Sequence, residues 1–81
     1  MSEVLKTPSK RVVGTRQILK KFAQDDIRLL FVADNAQEEL RRSLLSLAAE
    51  HSAQVICVRT MEDLGRLCGI EVGAAAAGVL K

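Results

Sequence analysis

Apolar and polar positions run along the chain in blocks whose period changes several times, and each change marks an element. The opening MSEVLKTPSK is polar and carries Pro8, which predicts a loosely ordered or short helical start over residues 1–10. RVV at 11–13 has room only for a small strand, and Gly14 ends it. From Arg16 onward Ile18, Leu19, Phe22 and Ala23 recur at helical spacing. Thr15 is placed as the N-cap, its hydroxyl free to accept from a first-turn amide. QDD then breaks the period.

RLLFVA, residues 28–33, is an unbroken apolar run ending at DN, as expected of a strand covered on both faces. Asp34 or Asn35 can cap the helix that follows. In that helix Ala36, Leu40, Leu44, Leu47 and Ala48 form one stripe, opposite Glu38, Glu39, Arg41 and Arg42. QVICVR at 54–59 reads as a second buried strand. Thr60 opens TMEDLGRLC with Asp63 three residues on, a loose capping box. Leu64 and Leu67 face inward there, and Gly69 is placed to end the helix in a left-handed turn. AAAAGVL at 74–80 closes the chain as a small-residue strand, since Val79 and Leu80 follow Gly78. The order β-α-β-α-β-α-β predicts a three-layer α/β/α sandwich around a four-stranded mixed sheet. At 81 residues it forms a single domain over 1–81.

Composition narrows the class. Apolar residues are 48% of the chain and charged residues 27%, so a packed core is affordable. Phe22 and Phe31 are the only aromatic residues, and the core must be aliphatic. No stretch reaches the roughly 18 to 20 apolar residues that a membrane helix needs. The opening also lacks the apolar centre of a signal peptide. A cytoplasmic protein with no membrane contact is expected. The net charge of +2 is modest, but Lys6, Lys10, Arg11, Arg16, Lys20 and Lys21 all fall in the first 21 residues, against Glu3 alone. That bias fits one electropositive face, or an ordinary solvated surface.

Little points to catalysis or metal. Cys57, inside VICV, reads as a small buried hydrophobe, and Cys68 lies near a helix end. With a single histidine, too few ligands exist for a zinc site. No metal and no cofactor are expected, and both thiols are expected reduced. His51 sits at the end of a charged helix, where the dipole favours a solvated histidine over a general base. Neither a P-loop, a dinucleotide fingerprint nor a nucleophile motif is present.

Two loops carry more. At the first, Gly14 allows close backbone approach, and the following helix offers unpaired amides and partial positive charge. Arg16, Gln17 and Lys20 project from its first turns. Arg and Lys suit guanine's major-groove acceptors, and Gln suits adenine. The alternative is a solvated helix face. At the second, GIEVG (69–73), Ile70 and Val72 either fold back onto the core or form a dry shelf for an unstacked base or a protein.

VVGTRQILK, LGRLCGIEVGAAA and the element order resemble the L7Ae/L30e family of ribosomal proteins, in particular its small bacterial kink-turn binders. The resemblance runs from about Val12 to the end. It implies a non-catalytic RNA-binding protein that recognises the kink-turn, a sharply bent helix–bulge–helix with tandem sheared G·A pairs. By the same resemblance Gly14, Thr15, Arg16, Gln17 and Lys20 match the strand–helix junction that enters the major groove at those pairs, with Lys21 beside them. Ile70, Glu71 and Val72 match the loop covering the bulge, and Leu64, Gly65 and Arg66 the helix leading into it. Where many relatives read Ala-Glu-Asp-Ala with a proline soon after, this chain has Ala33-Asp34-Asn35-Ala36 and no proline there, and Asn35, at an acidic position, is the residue by which the resemblance brings this loop into the RNA-binding set. The implied partner is a kink-turn in ribosomal RNA, a riboswitch or another structured RNA. The ribosome is one setting for it, and the protein is expected to be monomeric. A protein-interaction module using the 69–73 loop is the alternative on the same fold.

Overall fold

The structure, a computed structural model, describes residues 10–81; of the loose or short helical start expected over residues 1–10, all but Lys10 lies outside the described residues. The elements follow in the order β1 (Arg11–Val13), α1 (Thr15–Ala23), β2 (Ile27–Ala33), α2 (Glu38–Glu50), β3 (Gln54–Val58), α3 (Met61–Cys68) and β4 (Ala76–Leu80). The strands form one sheet in the order β1-β4-β2-β3. β4 runs antiparallel to both β1 and β2, and β2 runs parallel to β3, so the sheet is mixed.

Helices cover both faces. On one side Ile18 and Phe22 of α1 and Leu44 and Ala48 of α2 pack on Ile27, Leu30, Val32 and Ala76. On the other, Leu64 and Cys68 of α3 pack on Leu29, Phe31, Val58, Ala77 and Val79. Burying an aliphatic or phenyl side chain of this kind contributes about 1.5–3 kcal/mol. This is the expected three-layer sandwich. Strand β4 fits at its centre because it is small. A Cβ on Gly78 would sit 2.9 Å from Ile27 Cδ1 and 3.3 Å from Val12 Cγ2. Between Ile27 and Leu29 the pairing of β2 with β4 slips, with Arg28 left over and exposed. The slip changes the alternation, so that Ile27 drops onto the α1–α2 side while Leu29 faces α3.

Several local expectations change. Leu19 is exposed, lying off the stripe made by Ile18 and Phe22. β3 is an edge strand, and its Gln54, Val55 and Cys57 are exposed. Cys57 is therefore a surface thiol, while Cys68 is the buried one. Burial pushes the Cys68 thiol up, and the charge of Arg11 pulls it partway back.

All three helices end alike. The amides of Asp26, Ala53 and Ile70 reach back to the carbonyls of Lys21, Ala48 and Gly65. Those of Asp25, Ser52 and Gly69 bond to Phe22, Ala49 and Arg66. These are Schellman ends, each with a left-handed residue: Asp25 at φ 53°, Ser52 at φ 57° and Gly69 at φ 75°. At Asp25 the side chain adds a tie. Its Oδ1 accepts from His51 Nδ1 at 3.0 Å, and its Oδ2 pairs with Lys81 Nζ at 3.2 Å. His51 thus lies in an ion-paired cluster, its ring against Phe22, rather than loose in solvent.

Ser52 is strained where glycine would not be. Ser52→Gly removes a left-handed cost of about 1–2 kcal/mol and adds back part of it as unfolded-chain entropy. Thermal melts should show a net gain of about 0.5–1 kcal/mol, and an unchanged Tm would show the turn to be relaxed. The bond from His51, then the bond and charge of Lys81, hold the Asp25 carboxyl below its usual range. A carboxylate favoured by folding stabilises fully above its unfolded pKa, about 4, and loses this as pH falls through the lower folded value. Asp25→Asn should therefore melt below the wild type at pH 7, and the two curves should converge in acid. A gap that persists unchanged in acid would contradict this.

Candidate nucleic-acid interface

Topology gathers one set of chain ends on one edge of the sandwich. β1, β2 and β3 share a direction, so their carboxyl ends lie together beside the start of β4. Three backbone bonds confirm the grouping. Gly14 N donates to Ala76 O at 3.3 Å, Ala33 N to Ala75 O at 2.9 Å, and Asp34 N to Val58 O at 2.7 Å. All three helices begin at this edge. Ligands commonly meet α/β sheets outside the strands' carboxyl ends, where backbone donors and loops converge.

The three helix starts differ. Helix α3 is capped by Thr60, whose Oγ1 accepts from Asp63 N at 3.0 Å, and Asn35 Oδ1 accepts from Met61 N at 2.8 Å. Helix α2 has Glu38 and Glu39 in its first turn. Helix α1 has neither a side-chain cap nor an acid. Its N-cap is Gly14, not Thr15, because the positive φ of Gly14 (98°) turns the chain one residue earlier. Thr15 is already helical. A Cβ on Gly14 would meet nothing within 4 Å, so the strained backbone there faces open space. Arg16, Gln17 and Lys20 are exposed just beyond it, and Thr15 and Lys21 are half-buried. Lys21 belongs to the last turn of α1, toward the opposite end of the molecule.

The 69–73 loop lies along α3. A Cβ on Gly65 would collide with the carbonyl oxygen of Val72, and one on Gly73 would sit 3.3 Å from Met61. Ala74 N donates to Met61 O at 3.0 Å. Within the loop Ile70 is half-buried against the core, while Glu71 is exposed and Val72 is 69% exposed. The two apolar side chains thus differ in burial.

Sequence reasoning put Leu64, Gly65 and Arg66 together as a contact segment, and the structure separates them. Leu64 is wholly buried and Gly65 is buried under the loop, so both position it. Arg66 alone is exposed, paired with Asp63 at 3.4 Å. Asn35 does not cap α2; Gln37 takes that position without a side-chain bond. Two neighbours went unnoticed. Arg59, directly after β3, and Met61 are exposed at the same edge. The signal for Arg59 was its place at the end of an apolar strand. Asp34, Glu62, Asp63 and Glu71 intersperse these basic residues, so the edge is of mixed sign. Among the described residues no helix is long and apolar enough to cross a membrane.

The chain is similar to known proteins in sequence and in fold. The family model described as ribosomal protein L7Ae/L30e/S12e/Gadd45 matches residues 2–81. An RNA-binding protein of Caldanaerobacter subterraneus subsp. tengcongensis is 37% identical over 70 residues, covering 86% of this chain and 85% of that one. Large ribosomal subunit protein eL8 of Halobacterium salinarum is 38% identical over 68 residues, covering 83% of this chain and 57% of its own. A solved structure of a protein with unknown function from Bacillus halodurans superposes with a TM-score of 0.85 at 19% identity, over 99% of this chain and 83% of that one. It has the same fold.

Burial sets the expected effect of a charge in the loop. Val72→Asp should leave denaturant unfolding within about 0.5 kcal/mol of wild type, whereas Ile70→Asp should cost about 1–3 kcal/mol. Equal losses would mean that Val72 also packs in the core.

Proposed function

We propose that this chain, which belongs to the ribosomal protein L7Ae/L30e/S12e/Gadd45 family, is a non-catalytic RNA-binding protein of the cytoplasm that recognises kink-turns. The start of α1 carries this reading. It is the helix end that the protein leaves without a cap or an acid, at a glycine whose outward side is empty, and it displays Arg16 and Gln17. Orphan amides and the positive end of the helix dipole favour phosphate or base oxygens. Arg16, Lys20 and the carboxamide –NH2 of Gln17 can donate to guanine O6 and N7. A sheared G·A pair uses the adenine N6 and N7 for the pairing itself and leaves those guanine acceptors free in the groove.

Val72 supplies the second contact, an apolar face for the unpaired bulge, where stacking and burial replace base pairing. Thr15, Glu71 and Arg66 border these two contacts. Leu64 and Gly65 hold the loop in place from beneath, and Lys21 adds charge at a distance. The mixed sign of the edge limits the number of phosphates neutralised, so affinity falls only modestly with salt. Kinks in ribosomal RNA, a riboswitch or another structured RNA offer the same surface. Exposure of Val72 also suits a second reading, a protein docked on the loop, but that partner has no use for Arg16, Gln17 and Lys20 together.

A gel shift separates these readings. Gln17→Ala and Lys20→Ala should each weaken binding to a kink-turn RNA by about 1–3 kcal/mol, with little change in Tm. The same variants should lose far less against that RNA with its G·A pairs replaced. Equal losses on both RNAs would reduce residues 16–20 to an electrostatic handle. A wild type that does not distinguish the two RNAs would overturn kink-turn recognition.

A further inference from the structure

Strand β3 is one of the two edges of the sheet, and it is the unprotected one. The other edge, β1, is three residues long and begins with a charge, Arg11. β3 has five residues, QVICV, with no proline and no charge among them. Its pairing with β2 runs from Gln54 to Val58 without a slip. Short length, charge, proline and bulges are the devices that keep an open strand from pairing with another chain. β3 has none of them.

Its side chains are sorted between the two faces. Ile56 and Val58 belong to the cluster under α3, so by alternation Val55 and Cys57 point to the α2 face. On that face Val55 is 37% exposed and Cys57 is exposed, and α2, which packs over β2 and β3, leaves Leu45 38% exposed. Along the chain, charges flank the strand at both ends. Arg59 follows it directly, exposed and without an ion-pair partner among the described residues. Before it, α2 finishes in Glu50 with no basic residue in its last turn, an end of negative sign.

We propose that β3 is a self-association edge, pairing antiparallel with the β3 of a second copy about a two-fold axis. Full overlap of the five residues puts Ile56 opposite Ile56 of the second copy, Val55 opposite its Cys57, and Gln54 opposite its Val58. This register brings Arg59 of each copy beside Ala53 of the other, next to the negative end of the other's α2. The same patch serves both copies, and the pairing closes. The joined sheet runs β1-β4-β2-β3-β3-β2-β4-β1, and only the short β1 strands remain as edges. A two-fold dimer thus replaces the monomer expected from the sequence. The two β3 strands run in opposite directions, so the candidate RNA edges lie at opposite ends and both stay open. The dimer therefore does not depend on the RNA reading.

Sedimentation equilibrium without RNA tests it from about 10 µM to about 1 mM, since an interface this small belongs at the weak end of affinity. The mass should rise from one chain to two and no further. Val55→Lys places a charge in the pairing edge and should stay monomeric while keeping the wild-type Tm. Oxidation with oxidised glutathione reads the register. Residues opposite each other in an antiparallel pair have Cα atoms about 4.5–5.5 Å apart, within disulfide range, whereas diagonal pairs are about 7–8 Å apart. Val55→Cys should therefore cross-link to Cys57 of the second copy, while Val55→Cys combined with Cys57→Ser should not. Wild-type Cys57 should not cross-link to itself. A wild type that stays monomeric throughout the range would overturn the proposal. So would association that continues beyond two chains or survives Val55→Lys, cross-linking of Cys57 to Cys57, or no cross-linking in Val55→Cys.

Discussion

Two successive carbonyls at the start of β4, those of Ala75 and Ala76, tie the interface together. Gly14, at the head of α1, hangs from Ala76 O, and Ala33, at the head of the 34–36 turn, hangs from Ala75 O. Both ties form only when the last strand inserts between β1 and β2. That insertion depends on Ala76, Ala77 and Gly78 being small enough to sit at the sheet centre beneath two helical layers. The geometry of the proposed binding edge is thus set by residues buried in the sheet. It is also non-local, since Gly14 is fixed by residues some sixty positions away.

Against that frame the uneven treatment of helix ends acquires meaning. An N-cap side chain is worth about 1 kcal/mol, and α3 has Thr60 plus the bond that Met61 N donates to Asn35, while α1 has neither. Gly14 adds a backbone conformation that other residues adopt only with strain. Local stability is therefore lower at the start of α1, whose first amides stay open as the proposed reading requires, and higher at α3, against which the 69–73 loop packs. The opposite end shows the complementary pattern: Asp25, His51 and Lys81 satisfy one another there.

Much of the fold was legible because period and punctuation agree with the tertiary structure. Ile18 and Phe22, the run 29–33, Leu44 with Ala48, and Thr60 to Gly69 each carry local signals that packing did not override. What was not legible depends on neighbours. QVICV has the composition of a central strand, but whether another strand lies beyond it is decided by the whole chain. Cys57, which the pattern assigns to the core, is therefore exposed. Asp25 and Ser52 end helices in left-handed turns without the glycine that marks Gly69. At the candidate interface, the pattern singles out the segments 14–20 and 70–72 but not which of their side chains are buried. Ile70 beside Val72, Gly65 beneath the loop, and Asn35 bonded to Met61 rather than capping its own helix all depend on contacts between distant segments.

The central claim is that a kink-turn is read by the uncapped start of α1 together with the 70–72 loop. Backbone amide NMR shifts, followed during titration with a kink-turn RNA, test this residue by residue. The account predicts the largest changes at Gly14, Thr15, Arg16 and Gln17, with a second group at Glu71 and Val72, and little change at Asp25, His51 and Lys81. Changes concentrated on the exposed edge of β3 or at the Asp25 end, with residues 14–17 silent, would contradict it.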